Sequence, residues 1–276
     1  MSLDRVVLRA SSKINLLLNV FGKAENGLHY LESVVIPTPI FDVIEIKKRC
    51  GSEIKVSYSN NLHFENDNVL KIATKIQNYY ETSGFEIYIE KNIPESKGLG
   101  GSSADAGVVA KGLKKLFNLS DINPEILFST GSDVTYMYYG GSKIIKGLGE
   151  TVLSLDLKPR YICVLYDETN SSTKKVYEKF DKIGGNNYLL EDFFKTGKLS
   201  NALQNAAIEV EPKIQDNLNL LNDVGFNNVA VTGSGSAVIA SSFDKNEFVE
   251  CVKRLKDNTT ANAIAYHYTK SKLTTL

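Results

Sequence analysis

Cysteine is scarce in this chain: Cys50, Cys163 and Cys251 lie far apart and form no Cys-x-x-Cys spacing. So odd and sparse a set argues against a disulfide framework or a zinc site and suits a reducing, cytoplasmic setting. Charge of one sign is missing too, since 32 Lys and Arg stand against 32 Asp and Glu. Without a net basic field, nucleic acid and anionic membranes are disfavoured partners, while a local basic patch for a phosphorylated small molecule stays open. No apolar run approaches the roughly 18–20 residues that cross a bilayer. The N-terminus shows neither a signal peptide nor a transit segment. Two common nucleotide fingerprints are absent as well: the chain contains no Gly-x-x-x-x-Gly-Lys-Ser/Thr, and its main glycine loop does not spell Gly-x-Gly-x-x-Gly. Internal repeats and low-complexity tracts are also lacking.

What is present is an ordinary globular composition, 42% hydrophobic and 23% charged, over 276 residues. That length is comfortable for two domains. Residues 5–9 and 14–20 read as two short apolar strands, and 34–37 and 43–46 as two more with a turn through Pro37-Thr38-Pro39. Residues 68–80 have helical spacing, 85–91 alternate as a strand, and a short helix is expected near Pro124. Glycine-rich turns fill 141–158, and a boundary there divides the chain into units 1–155 and 156–276. The second unit opens with a strand at 161–166. Helical stretches follow near 172–180, 188–195, 200–208 and 212–224, then strands at 228–232 and 237–241 around Gly233-Ser234-Gly235-Ser236. Strands and helices mix without strict alternation, which predicts an α+β fold.

The most informative segment is 91–107, Lys-Asn-Ile-Pro-Glu-Ser-Lys-Gly-Leu-Gly-Gly-Ser-Ser-Ala-Asp-Ala-Gly. It joins the strand, with Phe85, Ile87 and Ile89 on one face, to a helix whose stripe is Ala106, Val109, Ala110, Leu113 and Leu116. Gly98, Gly100 and Gly101 allow close backbone approach. Ser102 or Ser103 is expected to cap the helix, with Asp105 as a weak capping-box partner. The free N–H groups and the helix dipole would then stabilise a phosphate. A tight turn that merely uses glycine is the simpler reading of glycine alone. Elsewhere, Lys13 interrupts an apolar strand, either as an edge lysine with a packed stem or as a fixed cation. His29 and Asp133 taken singly read as a structural histidine and a turn aspartate.

The pattern Pro94-x-x-x-Gly98-Leu99-Gly100-Gly101-Ser102-Ser103-Ala104 resembles the ATP-binding motif of the GHMP kinases. Within that superfamily the chain most resembles the 4-diphosphocytidyl-2-C-methyl-D-erythritol kinase family. The matching stretches are Ser12-Lys13-Ile14-Asn15-Leu16, Gly22-Lys23, Gly27-Leu28-His29, Asn66-Asp67-Asn68, Gly131-Ser132-Asp133-Val134-Thr135 and Gly233-Ser234-Gly235-Ser236, collinear over nearly the whole chain. Leu28 stands where that family has a tyrosine, and Thr135 where it has a proline.

The resemblance implies a two-domain fold, with an N-terminal domain like ribosomal protein S5 and a ferredoxin-like C-terminal domain. It implies ATP as phosphoryl donor, bound by Pro94, Lys97, Gly98, Leu99, Gly100, Gly101, Ser102, Ser103 and Ala104. Asp133 would be the base and Lys13 its electrostatic partner. Asn15, His29, Gly233, Ser234 and Gly235 would face the substrate, with His29 on a cytosine. Mg²⁺ would bridge the phosphates with an oxygen from Ser102 or Ser103. The implied acceptor is the 2-hydroxyl of 4-diphosphocytidyl-2-C-methyl-D-erythritol, on the methylerythritol phosphate route to isoprenoids. A different alcohol (mevalonate, homoserine or a sugar) and a nucleotide-binding homologue without catalysis are the alternatives.

Overall fold

A computed structural model describes residues 3–269 and 273–275. In chain order the elements are β1 (Arg5–Lys23), β2 (His29–Lys48), β3 (Ile54–Tyr58), α1 (Asn68–Tyr80), β4 (Phe85–Glu90), α2 (Gly101–Phe117), α3 (Pro124–Phe128), α4 (Val134–Tyr139), β5 (Lys143–Gly147) and β6 (Thr151–Ser154). There follow β7 (Arg160–Tyr166), α5 (Thr173–Ile183), α6 (Leu190–Thr196), β8 (Ser200–Asn201), α7 (Gln204–Val210), α8 (Lys213–Asp223), β9 (Val229–Val231), β10 (Val238–Ser242), α9 (Lys245–Asn258), β11 (Asn262–Tyr268) and β12 (Leu273–Thr275).

Among the described residues the strands form two sheets, which makes the fold α+β as expected. One sheet runs β3-β4-β2-β1-β8, with β5 added on β2 and β6 on β5; the other runs β12-β11-β7-β10-β9. The four strands expected within 5–20 and 34–46 are in fact two long ones. β1 and β2 pair from Arg5↔Lys47 to Lys23↔His29, with register shifts between Ser11 and Lys13, Asn15 and Leu17, and Val20 and Lys23. Such bulges let a strand bend and re-aim its side chains without ending. The turn expected at Pro37-Thr38-Pro39 does not form. Pro39 lies where the ladder is interrupted and Pro37 pairs with Lys13 at the edge of that gap, positions where a strand tolerates a missing N–H. Thr38, buried between them, bonds Ser12 Oγ at 2.5 Å and accepts from Ile40 N at 3.1 Å.

Helix α2 lays Ala106, Val109, Ala110 and Leu113, all fully buried, into the first core. Its axis runs from the glycine loop to Asn118, a left-handed C-cap whose N–H bonds Lys114 O. β8 replaces the start of the helix expected at 200–208 and pairs in parallel with β1, Leu17↔Ser200 and Leu18↔Asn201. Consequently Leu18 and Val20 of β1 pack in the core formed mainly by the second sheet and its helices. The glycine-rich stretch 141–158 holds a hairpin, β5–β6, that turn signals alone conceal. No helix among the described residues is long and apolar enough to cross a membrane.

Candidate active site

A cleft of about 700 Å³ opens where the glycine loop, β1, the start of α4, residues 171–173 and the Gly233-Ser234 turn converge. The loop enters it by glycine geometry. Gly98 and Gly100 have φ of +73° and +72°, a region L side chains rarely adopt. A Cβ on Gly98 would stand 2.5 Å from Thr232 O, and one on Gly100 2.7 Å from Met137 Cε and 3.2 Å from Lys13 Cε. The loop therefore lies against both the second glycine turn and the stem of Lys13.

The expected serine cap is not there. The N-cap of α2 is Gly100, with no side-chain hydrogen bond, and Ser102 and Ser103 sit inside the first turn. The left-handed conformation at residue 100 demands glycine, and glycine has no side chain with which to cap. The leading N–H groups are thus left free to meet an anion. Ser102 Oγ accepts from Asn68 Nδ2 at 3.1 Å. Asp105 is no capping-box residue either, because its carboxylate turns inward to Lys91 at 2.6 Å.

Lys13 and Asp133 meet in the cleft. Lys13 N donates to Leu99 O at 3.0 Å, which fastens β1 to the loop. Its ammonium lies 3.4 Å from Asp133 Oδ2 and donates to Asn15 Oδ1 at 2.8 Å. The Lys13 side chain is 7% exposed while that of Asp133 is 35% exposed, so the carboxylate is the open partner. Asn15 is itself fixed: Nδ2 donates to Ser33 Oγ at 2.7 Å, Ser33 Oγ donates to Leu17 O at 2.6 Å, and Asn15 N donates to Thr232 Oγ1 at 2.8 Å. That chain leaves only the amide oxygen for Lys13. Asp133 is the N-cap residue of α4 but makes no side-chain cap bond, so its oxygens stay available.

The remaining sequence-derived residues divide. Pro94, Lys97, Leu99, Gly101, Ser103, Gly233 and Ser234 line the cleft with those already described; Ala104, buried beneath it, does not, nor does Gly235. The Lys97 ammonium donates to Thr169 O at 2.5 Å and Asn170 Oδ1 at 2.8 Å, so it braces the loop from the side of the second sheet. Burial pulls its pKa down, against the pull of Asp167 and Glu168. His29 stands just behind the wall, Nε2 at 2.6 Å from Asp181 Oδ1 and its ring 4.9 Å from Tyr177, which does line the cleft. Lys23 holds the other oxygen of Asp181 at 2.5 Å. Leu28 is 47% exposed.

Sequence reasoning missed Tyr177 and a buried cluster of Asp42, Lys91 and Asp105 beneath the loop. A faint signal for the cluster existed, a lone acid in the apolar run Ile40-Phe41-Asp42-Val43-Ile44. For a metal, the described residues contain no group of three or more His, Cys, Asp or Glu side chains. The hydroxyls of Ser102 and Ser103 and the open Asp133 carboxylate are hard oxygen donors, which fits an Mg²⁺ held mostly by phosphate oxygens and water.

Comparison with known proteins places these features in context. The GHMP kinases N terminal domain matches residues 67–141. The 4-diphosphocytidyl-2-C-methyl-D-erythritol kinase of Caldicellulosiruptor bescii is 34% identical over 271 residues, covering 90% of this chain and 93% of its own. That of Clostridium tetani is 30% identical, covering 90% and 95%. A crystal structure of 4-(cytidine 5'-diphospho)-2C-methyl-D-erythritol kinase superposes with a TM-score of 0.77 at 23% identity, covering 94% of this chain and 98% of that one. The L. major mevalonate kinase in complex with R-mevalonate shares the fold at a TM-score of 0.70 and 16% identity, covering 98% and 99%.

Proposed function

Because the chain belongs to the 4-diphosphocytidyl-2-C-methyl-D-erythritol kinase family of the GHMP kinases, we propose that it transfers the γ-phosphoryl group of ATP to the 2-hydroxyl of 4-diphosphocytidyl-2-C-methyl-D-erythritol. The single observation that carries the chemistry is the Lys13–Asp133 pair, 3.4 Å apart in the cleft beside the open N-terminus of α2. Asp133 accepts the hydroxyl proton as the oxygen attacks phosphorus, and the bond to the ADP oxygen breaks. Lys13 stabilises the developing alkoxide and the equatorial phosphoryl oxygens, and the free N–H groups from Gly101 to Ser103 hold the phosphates. The hydroxyl of Ser102 or Ser103 would help hold an Mg²⁺ on the nucleotide phosphates, where the ion would supply further neutralisation of charge.

On the acceptor side, Asn15, His29, Gly233, Ser234 and Gly235 shape the wall. Tyr177 offers an aromatic face beside His29 where Leu28 has none. We place the domain boundary at 155/156, in the link between β6 and β7, and the enzyme in the cytoplasm. Exposed Leu28 favours one second reading, another alcohol as acceptor. ATP consumption measured with 4-diphosphocytidyl-2-C-methyl-D-erythritol, mevalonate, homoserine and galactose separates the two. Turnover confined to the cytidine compound is expected; turnover confined to another alcohol overturns the acceptor, and inactivity on all four favours the non-catalytic homologue.

A further inference from the structure

Asp42 is a carboxylate in the middle of a core strand, and its side chain is 0% exposed. Burying such a charge is costly unless its oxygens are matched by donors. Here they are: Oδ1 accepts from Asn92 N at 2.5 Å and Ile93 N at 2.7 Å, and Oδ2 from Lys91 Nζ at 2.5 Å. The register explains why the residue is needed. β2 and β4 pair from Lys48↔Phe85 to Val43↔Glu90, and the ladder stops there. One residue further, Asp42 takes over, and its side chain receives the backbone N–H groups that no strand now satisfies.

Lys91 carries the contact onward. Its ammonium also donates to Asp105 Oδ2 at 2.6 Å, one turn into α2, and both side chains are nearly sealed from solvent. The segment that holds the glycine loop is thus pinned at both ends to one cluster: residues 91–93 where it leaves the sheet and Asp105 where it has become helix. Asp42 does not line the cleft, whereas Lys91 and Asp105 do. Lys91 Nζ is also 3.6 Å from where a Cβ on Gly101 would be, so the cluster touches the first residue of the helix. With its ammonium held by both Asp42 and Asp105, Lys91 is a strut rather than a free cation for phosphate.

We infer that Asp42 is a positioning residue of the nucleotide half of the site: it sets where residues 91–93 leave the sheet and, through Lys91 and Asp105, how α2 presents its free N–H groups. The inference rests on the reading of residues 98–104 as the ATP cradle.

ATP binding titrated directly, without any acceptor, tests it on the whole chain and independently of which alcohol is phosphorylated. D42N keeps an oxygen for the two backbone N–H groups but removes the negative charge that faces Lys91; D42A removes both. The Kd for ATP is expected to rise about tenfold in D42N and about 100-fold in D42A, the scale of loss produced by a misplacement of about 1 Å. At saturating ATP, kcat and the KM of the acceptor should stay within about threefold of the parent, since a positioning role on one substrate splits KM from kcat. Circular dichroism at the assay temperature confirms folding, and if D42A does not fold, the isosteric D42N decides. Folded variants that bind ATP as tightly as the parent overturn the inference, as does an equal rise in KM for both substrates. Failure of the parent itself to bind ATP overturns instead the reading of the loop.

Discussion

Two lysine–aspartate clusters flank the same glycine loop, and they are built in opposite ways. Above it, Lys13 and Asp133 stand 3.4 Å apart with the carboxylate 35% exposed. Below it, Lys91 is held at 2.5 and 2.6 Å by Asp42 and Asp105, both out of reach of solvent. A sealed cluster with short contacts fixes geometry, and its lysine cannot change partners without leaving the buried Asp42 carboxylate unmatched. An open, longer pair can accept a hydroxyl between its members and stabilise charge that forms there. In the proposed reading, the difference means that the loop is held from one side and used from the other.

Substitutions break the comparison where it is strongest. Lys13→Met should lower kcat by about 10²–10³-fold, the usual loss on removing one charge-stabilising donor. Steady-state kinetics would also show the KM for ATP little changed. Gly100→Ala forces a Cβ to 2.7 Å from Met137 Cε and a left-handed φ on alanine. It should weaken ATP binding about tenfold, on the scale of the strain energy of such a conformation, as isothermal titration would show.

A smaller effect separates the clusters by pH. Burial pushes the Asp105 carboxyl from 3.8 up to about 8, with Asp42 adding to the rise and Lys91 opposing it. The folded state therefore keeps a proton that the unfolded state gives up above pH 4. Stability from this group is complete below that point and declines as pH rises towards about 8. Thermal melts of Asp105→Asn against the parent, from pH 5 to 9, should show the variant gaining ground as pH rises. A constant gap would contradict it. The smallest effect expected is from Leu28→Tyr, a lowering of acceptor KM by about threefold through a new aromatic face.

What the sequence revealed follows the same division. The loop, Lys13 and Asp133 were legible because they fall in short contiguous motifs with recognisable chemistry. The lower cluster was not, because Asp42, Lys91 and Asp105 come together only through the β2–β4 register and one turn of α2. The long bulged strands were hidden for a related reason: each register shift breaks the period-2 pattern, so one strand reads as two. The serine cap failed on a backbone fact, the left-handed Gly100, that side-chain preference does not encode. Elements after residue 242, α9 among them, carried apolar stripes but no motif that drew attention.

The central claim is that Asp133 does chemistry while the loop, positioned by the cluster beneath it, binds the nucleotide. Single-turnover phosphoryl transfer by Asp133→Asn, run beside ATP titration of the same variant, tests it most directly. The transfer rate should fall by at least about 10³-fold, within the range for losing a general base, with ATP affinity inside about threefold of the parent. Transfer within tenfold of the parent, or a loss carried by ATP affinity instead, would contradict it.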